Sequence, residues 1–234
     1  MNEILFLIHI LLVILFLFVA LRLGKNYLLV FAAILALIAN LFVIKQIDLF
    51  TKTVTATDVF IIGAIFSQNL LQEYFGKEIA IKTIKITFFS MLFFLVMSKI
   101  HLLYIPSHLD TTHASFQNIL SSSPRIIISS MVAFFLTQRL DIYFFSFLKK
   151  IFKAKYLPLR MGISSIVVQS IDTLLFSFLA LWGIVDHIFD IILFSFIIKS
   201  LVIIFSASFM KLSKYFMKNE NKNENENENE KIYE

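Results

Sequence analysis

Seven long apolar segments dominate this sequence of 234 residues. An α-helix rises about 1.5 Å per residue, so about 20 apolar residues cross a hydrocarbon core that is roughly 30 Å thick. Such a helix also satisfies its own backbone hydrogen bonds inside lipid. The sequence therefore predicts an all-α fold, a polytopic membrane protein built as a bundle of about seven transmembrane helices. The segments cover residues 4–21, 27–45, 57–75, 86–104, 125–147, 161–183 and 189–210.

Composition agrees with a membrane protein and excludes several other classes. Apolar residues make up 59% of the chain and charged residues only 16%, whereas about 25% is usual in soluble domains. The first segment follows "MNE", which has no Lys or Arg, so we interpret it as a retained helix rather than a secretory signal. The absence of Cys excludes thiolate ligands. His108 and His113, in the longest outer loop, lack partners at ligand spacing, so we expect neither a metal nor a cofactor.

Basic residues are distributed unequally between the two sides of the membrane. The loops after the first, third and fifth segments, together with the C-terminal end, carry most of them, and the other side carries few. The positive-inside rule therefore predicts an inner-membrane protein with its N-terminus outside and its C-terminus in the cytoplasm. The net charge of +5 then faces anionic lipid, and we do not expect nucleic acid as a partner. The larger group comprises Arg22, Lys25, Lys77, Lys82, Lys85, Lys149, Lys150, Lys153, Lys155, Arg160, Lys211, Lys214, Lys218, Lys222 and Lys231, and the smaller comprises Lys45, Lys52, Lys99 and Arg125.

The last residues differ from the rest of the chain. Residues 218–234 read "KNENKNENENENEKIYE" and contain almost no apolar side chains. Such a segment buries too little surface to offset the entropy of ordering. The sequence thus predicts a transmembrane domain over residues 1–217 and a disordered cytoplasmic tail over 218–234.

Polar residues within the apolar segments are the candidate functional residues. Inserting an Asp or Lys at a helix centre costs on the order of 3 kcal/mol, so such groups should face the interior of the bundle. The polar and charged residues in question are Asn40, Gln68, Asn69, Gln138, Arg139, Asp141, Gln169, Asp172 and Lys199.

The fifth and sixth segments carry the same polar pattern. Each contains R-x-x-x-S-S followed by Q-x-x-D-x-x-x-F. Steps of three and four residues stay on one helix face, so each Gln, Asp and Phe forms a single stripe. Antiparallel neighbours would bring the two stripes together near mid-membrane, where transporters place substrate sites. The matching pairs are Arg125 and Arg160, Ser129 and Ser164, Ser130 and Ser165, Gln138 and Gln169, Asp141 and Asp172, and Phe145 and Phe176.

Structural interpretations compete with this functional one. The serines of the repeat serve equally well as hydrogen-bonding contacts between helices. Asp141 and Asp172 could form structural ion pairs with Lys199 or Arg139. The functional interpretation has two acids sharing one or two bases in a binding site.

At these positions the chain resembles the queuosine precursor transporters, also grouped as vitamin uptake transporters. The resemblance covers about residues 28–215, which correspond to a six-helix core. The first helix lies outside this stretch as an extra N-terminal helix, and the resemblance does not explain its role. Where the family commonly has Thr-Asp on its third helix, this chain has Gln68 and Asn69, and Asn40 matches a family Asn. The matching stretches are "NLLQEYFGKEIA", "RIIISSMVAFFLTQRLD" with "FSFLKK", "SSIVVQSIDTLLFSFLALWG" and "FIIKSLV".

The resemblance implies uptake of 7-cyano-7-deazaguanine, 7-aminomethyl-7-deazaguanine or queuine for tRNA modification. In that case, we expect Asp141 and Asp172 to accept hydrogen bonds from the donor edge of the base, while Gln138 and Gln169 bind its acceptor atoms. Lys199 would neutralise an acid in the empty state, and Phe176, with Phe145 and Trp182, would stack on the ring. Gly76, Gly162 and Gly183 supply backbone freedom for alternating access.

Two other classes remain open at this stage. A substrate-binding subunit of an ATPase-energised vitamin or nucleobase importer would have similar architecture, and this chain has no Walker motif of its own. A structural membrane scaffold is the third interpretation, and the partner could also be a second copy of the chain. Intramembrane protease motifs are absent from the sequence, so an enzyme is not expected.

Overall fold

The computed structural model describes residues 1–43, 45–49, 52–55, 57–120, 124–183 and 188–217. The predicted disordered tail, residues 218–234, lies outside these ranges. In chain order the elements are α1 (Asn2–Leu23), α2 (Lys25–Phe42), β1 (Gln46–Leu49), β2 (Lys52–Thr55), α3 (Asp58–Phe75), α4 (Lys77–His101), α5 (His113–Leu120), α6 (Pro124–Ile151), α7 (Leu157–Phe176) with a π-helical extension (Ser177–Leu181), α8 (Ile188–Phe209), a 3₁₀ turn (Met210–Leu212) and α9 (Ser213–Met217).

The prediction of an all-α polytopic membrane protein is confirmed. Six helices in the described residues are long and apolar enough to cross a bilayer, namely α1, α2, α4, α6, α7 and α8. The helix that corresponds to the third predicted segment, α3, is also present but is less apolar. Two smaller elements were not predicted: β1 and β2 form an antiparallel hairpin, and α5 lies in the long loop between α4 and α6.

Helix α3 lies at the centre of the bundle. It contacts α1, α2, α4, α6, α7 and α8, and most of its side chains are buried, including Ser67, Gln68, Asn69 and Gln72. A helix surrounded by protein does not have to be apolar towards lipid. Its polar residues are therefore compatible with a membrane-embedded position, because neighbouring helices surround it.

The first helix belongs to the same core. Leu17, Phe18 and Leu21 of α1 are buried in the largest apolar cluster of the described residues. Gly63 of α3 lets the helices approach closely, since a Cβ built there would lie 2.6 Å from a Val13 side-chain atom. Helix α1 is thus a packed part of the bundle.

The two ends of the described chain lie at opposite ends of the bundle. At the start of α1, the Asn2 amide donates to the Asp48 carbonyl in the hairpin, at 3.0 Å. Near the other end of α1, Phe18 stacks on Phe216 of α9, with ring centroids 4.9 Å apart. We call the end that carries the hairpin the hairpin end, and the end that carries α9 the α9 end.

Two sharp connections at the α9 end consist of one glycine each. Gly24 joins α1 to α2 with φ 108° and ψ 175°, and Gly76 joins α3 to α4 with φ 93° and ψ 164°. Only glycine adopts this backbone region readily. These residues place α1, α2, α3 and α4 as two antiparallel pairs without a longer loop.

Candidate functional site

A layer of buried polar side chains occupies the interface of α3, α6 and α7. Asp141 of α6 is fully buried, and the Ser164 hydroxyl of α7 donates a hydrogen bond to its Oδ1. Asn69 of α3 lies close enough to Asp141 for a side-chain hydrogen bond to its carboxylate, but the geometry of this contact is poor. We call Asn69, Asp141 and Ser164, with Gln138, Ser165 and Gln169 nearby on the same helices, the polar layer.

Several atoms of this layer have no hydrogen-bond partner of good geometry in the part of the chain that the structure describes. They are both polar atoms of the Asn69 side chain, Gln138 Oε1, Asp141 Oδ2, Ser165 Oγ and Gln169 Oε1. The residues that carry them are at most 3% exposed. An unpartnered buried polar group costs about 1 to 3 kcal/mol, so a group of them within one interface is unusual for a purely structural contact.

The second predicted acid has a different environment. Asp172 of α7 accepts from Lys199 Nζ of α8 at 3.2 Å and from Thr137 Oγ1 of α6 at 3.3 Å. Lys199 also donates to Thr173 Oγ1 at 3.1 Å. The ion pair that the sequence left as one alternative is therefore present for Asp172, and its partner is Lys199. Arg139 is exposed and lies over the Phe135 ring.

Asp58, the first residue of α3, was missed by the sequence analysis. It is buried, with 7% exposure, and lies within electrostatic range of Lys199 and Asp172. An acid in the first turn of a helix usually interacts with the helix dipole, so its position gave no signal of a site. The group formed by Asp58, Asp172 and Lys199 contains two carboxylates and one ammonium.

The glutamines tie α3 to α6. Gln68 Nε2 donates to the Gln138 carbonyl at 3.1 Å. One turn further along α3, Gln72 Nε2 donates to the Ile142 carbonyl at 2.9 Å and to Ser146 Oγ at 2.7 Å. Gln68 therefore makes an interhelical contact in this structure.

Asn40 and Phe176 lie away from the polar layer. Both line a cavity of about 70 Å³ that is otherwise mostly apolar, with Met91, Phe94 and Met131 in its wall. Asn40 Oδ1 accepts from Ser130 Oγ at 2.9 Å, and its amide donates to the Ala36 carbonyl at 2.9 Å. The predicted site residues thus divide between the polar layer, the Asp172–Lys199 pair and this cavity.

The two other aromatic residues predicted to stack on a ligand, Phe145 and Trp182, do not surround the polar layer either. Trp182 is 54% exposed and packs against Phe178. Phe145 is fully buried, but the Arg160 guanidinium lies over its ring, 5.2 Å from the centroid. The expectation that these two rings stack on a ligand therefore has no support from their positions here.

Comparison with known proteins identifies the family. Residues 55–212 match the family described as "Putative vitamin uptake transporter". The chain belongs to this family. A curated relative from Bacillus subtilis (strain 168), described as "Probable queuosine precursor transporter", is 30% identical over 200 residues, which cover 84% of this chain and 87% of the relative. No solved structure matches the chain. The protein is accordingly a membrane transporter and not an enzyme.

The residues that match the family include the helices that form the candidate site. In this vitamin uptake transporter family member, the matched residues include α3, α6, α7 and α8, which carry the polar layer and the Asp172–Lys199 pair. The match begins after α1 and α2, so Asn40 lies outside it. The two N-terminal helices nevertheless pack against α3.

A buried ion-pair cluster at the α9 end is the second feature that sequence analysis missed in this transporter. Arg160 of α7 is fully buried and binds Glu73 of α3 with two hydrogen bonds, at 2.9 and 3.1 Å. Lys149 of α6 binds the same carboxylate at 2.9 Å. Charge counting places Arg160 and Lys149 in a cytoplasmic loop, and nothing near them in the sequence indicates Glu73 as their partner.

Proposed function

We propose that this protein imports a queuosine precursor, a 7-deazaguanine base, across the cell inner membrane for tRNA modification. The observation that carries the proposal is the set of buried, unpartnered amide, hydroxyl and carboxylate atoms in the polar layer. A guanine-type base offers donors and acceptors around a flat ring, so it can bond to such a set. The name of the Bacillus relative supports this substrate class.

Asp141 is the residue that we assign to the donor edge of the base. Its Oδ2 has no partner among the described residues, and it can accept from N1–H or the 2-amino group. Gln138 and Gln169 each carry a buried oxygen without a partner among the described residues, and a glutamine amide can also present its NH₂ group to ring acceptors. Asn69, where the family commonly has an acid, serves as a neutral donor and acceptor.

Orientation and access complete the proposal. We place the hairpin end outside and the α9 end in the cytoplasm, because basic residues concentrate at the α9 end. The cavity that contains Asn40 and Phe176 lies between α2, α4 and α6 towards the hairpin end, and we assign it to the entry route for the base.

The test is the queuosine content of tRNA in a bacterial strain that cannot synthesise the precursors. The strain receives each candidate base at limiting concentration, with this transporter or an empty vector. We expect modification to depend on the transporter. The function would be excluded if the strain with the transporter contained the normal amount of membrane-inserted protein and its tRNA were modified no more than in the strain with the empty vector. Loss of uptake after removal of the host's ATPase modules would instead support the importer-subunit interpretation.

A further inference from the structure

Along α6, Asp141 and the residue that Asp172 contacts are one helical turn apart. Asp141 belongs to α6 itself, and Asp172 bonds to Thr137, four residues earlier in the same helix. One turn of α-helix rises about 5.4 Å, comparable to the length of a bicyclic base. A ligand whose donor edge binds Asp141 can therefore extend its other end towards Asp172.

The charge around Asp172 favours a cation at that end. Asp58 and Asp172 together carry two carboxylates, and Lys199 supplies one ammonium. The Lys199 contact is a single ammonium–carboxylate hydrogen bond of 3.2 Å, and Asp172 keeps 15% of its side chain exposed. An ammonium on a flexible stem, such as a lysine side chain, is readily exchanged for another ammonium at the same carboxylate.

We propose that the site selects 7-aminomethyl-substituted deazaguanines, which carry an amine that is protonated at neutral pH, over the 7-cyano compound. The ligand's ammonium takes the place of Lys199 on Asp172 while Asp141 holds the guanine edge. A nitrile has no charge and no hydrogen-bond donor, so it cannot replace Lys199 on the Asp172 carboxylate. This inference rests on the proposed function, because it concerns the same site.

Two matched variants test the inference. Asp141→Asn and Asp172→Asn make the same chemical change at the two acids. We expect Asp141→Asn to reduce uptake of the aminomethyl and cyano bases by similar factors. Asp172→Asn should reduce uptake of the aminomethyl base by about tenfold to a hundredfold, the effect of one charge-assisted hydrogen bond in a buried site, with a much smaller effect on the cyano base. The double variant Asp172→Asn with Lys199→Met avoids an unpaired buried ammonium and should show the same loss of selectivity.

The outcomes separate this inference from the proposed function. If the parent protein takes up none of the candidate bases, the proposed function fails. If the parent prefers the cyano base, or if Asp172→Asn reduces both uptakes equally, the base is a substrate but the selection by charge is wrong. Thermal stabilisation of the purified protein by each base gives the same comparison without transport.

A second inference concerns the ion-pair cluster, which lies next to the polar layer on the side of the α9 end. Glu73 is four residues after Asn69 on α3, and Arg160 is four residues before Ser164 on α7, so each lies one turn towards the α9 end. Phe145, four residues after Asp141 on α6, packs against the Arg160 guanidinium. These three side chains lie between the polar layer and the α9 end.

The structure also shows how Arg160 is held in place. Beyond its two bonds to Glu73, it donates to the Lys155 carbonyl at 2.8 Å and to the Ala154 carbonyl at 3.3 Å. The segment between α6 and α7 that supplies these carbonyls contains Lys153, Ala154 and Tyr156, all with positive φ. The guanidinium therefore links α3, α7 and the loop before α7. Separation of α3 from α7 would break its hydrogen bonds to Glu73.

We infer that the Glu73–Arg160 pair is the gate on the α9 side of the transport path and is closed in this structure. The chain contains no Cys, so Ser165→Cys introduces one thiol into the polar layer. A membrane-impermeant maleimide is applied to vesicles of each orientation. From the α9 side, we expect the thiol to react slowly in the otherwise unchanged protein and about tenfold or more faster after Glu73→Gln.

Lys149→Gln is the matched control, because it removes a positive charge that contacts the Glu73 carboxylate and leaves the Arg160–Glu73 pair intact. It should leave labelling from the α9 side nearly unchanged. The double variant Glu73→Gln with Arg160→Met removes both buried charges and should also open the path. Unchanged labelling in both Glu73 variants, or an equal increase from the hairpin side, would overturn the gate assignment.

Discussion

Substitution of two adjacent serines tests which buried polar groups stabilise the bundle and which bind a ligand. Ser164 and Ser165 are both fully buried on α7. The Ser164 hydroxyl donates to Asp141, whereas the Ser165 hydroxyl has no partner in the described residues. Replacing each by Ala removes the same atom from the same helix, so any difference in effect reports the partner.

The expected effects on stability differ in size. Ser164→Ala removes a buried hydrogen bond to a charged acceptor and leaves Asp141 with fewer partners, so it should lower the free energy of unfolding by about 1.5 to 3 kcal/mol. Ser165→Ala removes a hydroxyl that is unsatisfied in the empty protein. It should leave the free energy of unfolding unchanged or raise it by up to about 1 kcal/mol.

The expected effects on binding are reversed for Ser165. If its hydroxyl bonds to the base, Ser165→Ala should weaken affinity by about twofold to tenfold, the effect of one neutral hydrogen bond. Stability is measured by denaturation of the purified protein without ligand, and affinity by ligand titration of the same preparations. A Ser165→Ala protein that is as destabilised as Ser164→Ala, or that binds the base like the parent, would refute the reasoning.

Three further predictions concern the fold and its orientation. Gly76→Ala should lower stability by about 1 to 3 kcal/mol, because residue 76 has a positive φ. Thermal denaturation measures this effect. Gly162→Ala is the control, since a new Cβ there would meet only Ala207, at 3.6 Å. Gly63→Ala should cost about 1 to 3 kcal/mol in the same assay through contact with α1, and an unaffected variant would show that α1 is loosely packed. Reporters after Lys155 and near His113 should lie on opposite sides of the membrane, and finding both on one side would contradict the bundle.

Periodicity in the sequence identified the main helices of the bundle and several polar residues that the structure buries. The Q-x-x-D repeat placed Gln138 and Asp141 on one buried face of α6, and Gln169 is buried on α7. The repeat could not show that the two acids have different partners. That difference depends on how each helix is rotated against its neighbours, since Asp141 faces Ser164 of α7 and Asp172 faces Lys199 of α8.

Charge counting was less informative near the helix ends. The positive-inside rule treats every cation beside an apolar segment as part of a loop, but α7 begins at Leu157 and includes Arg160. Its guanidinium is buried because Glu73, on a helix distant in sequence, offers two carboxylate oxygens. Long-range pairing of this kind has no local signal.

The composition of α3 connects the stability of the protein to its function. It is the only one of the seven main helices in the described chain that is not apolar enough to count as a membrane span by itself, and its polar residues face other helices instead of lipid. Unpartnered buried atoms on Asn69, Asp141 and Ser165 lower the stability of the bundle. A ligand that satisfies them removes this cost as well as adding its own contacts. Binding of the correct base should therefore raise the thermal stability of the protein, and the increase should shrink in Asp141→Asn, where one acceptor becomes a donor.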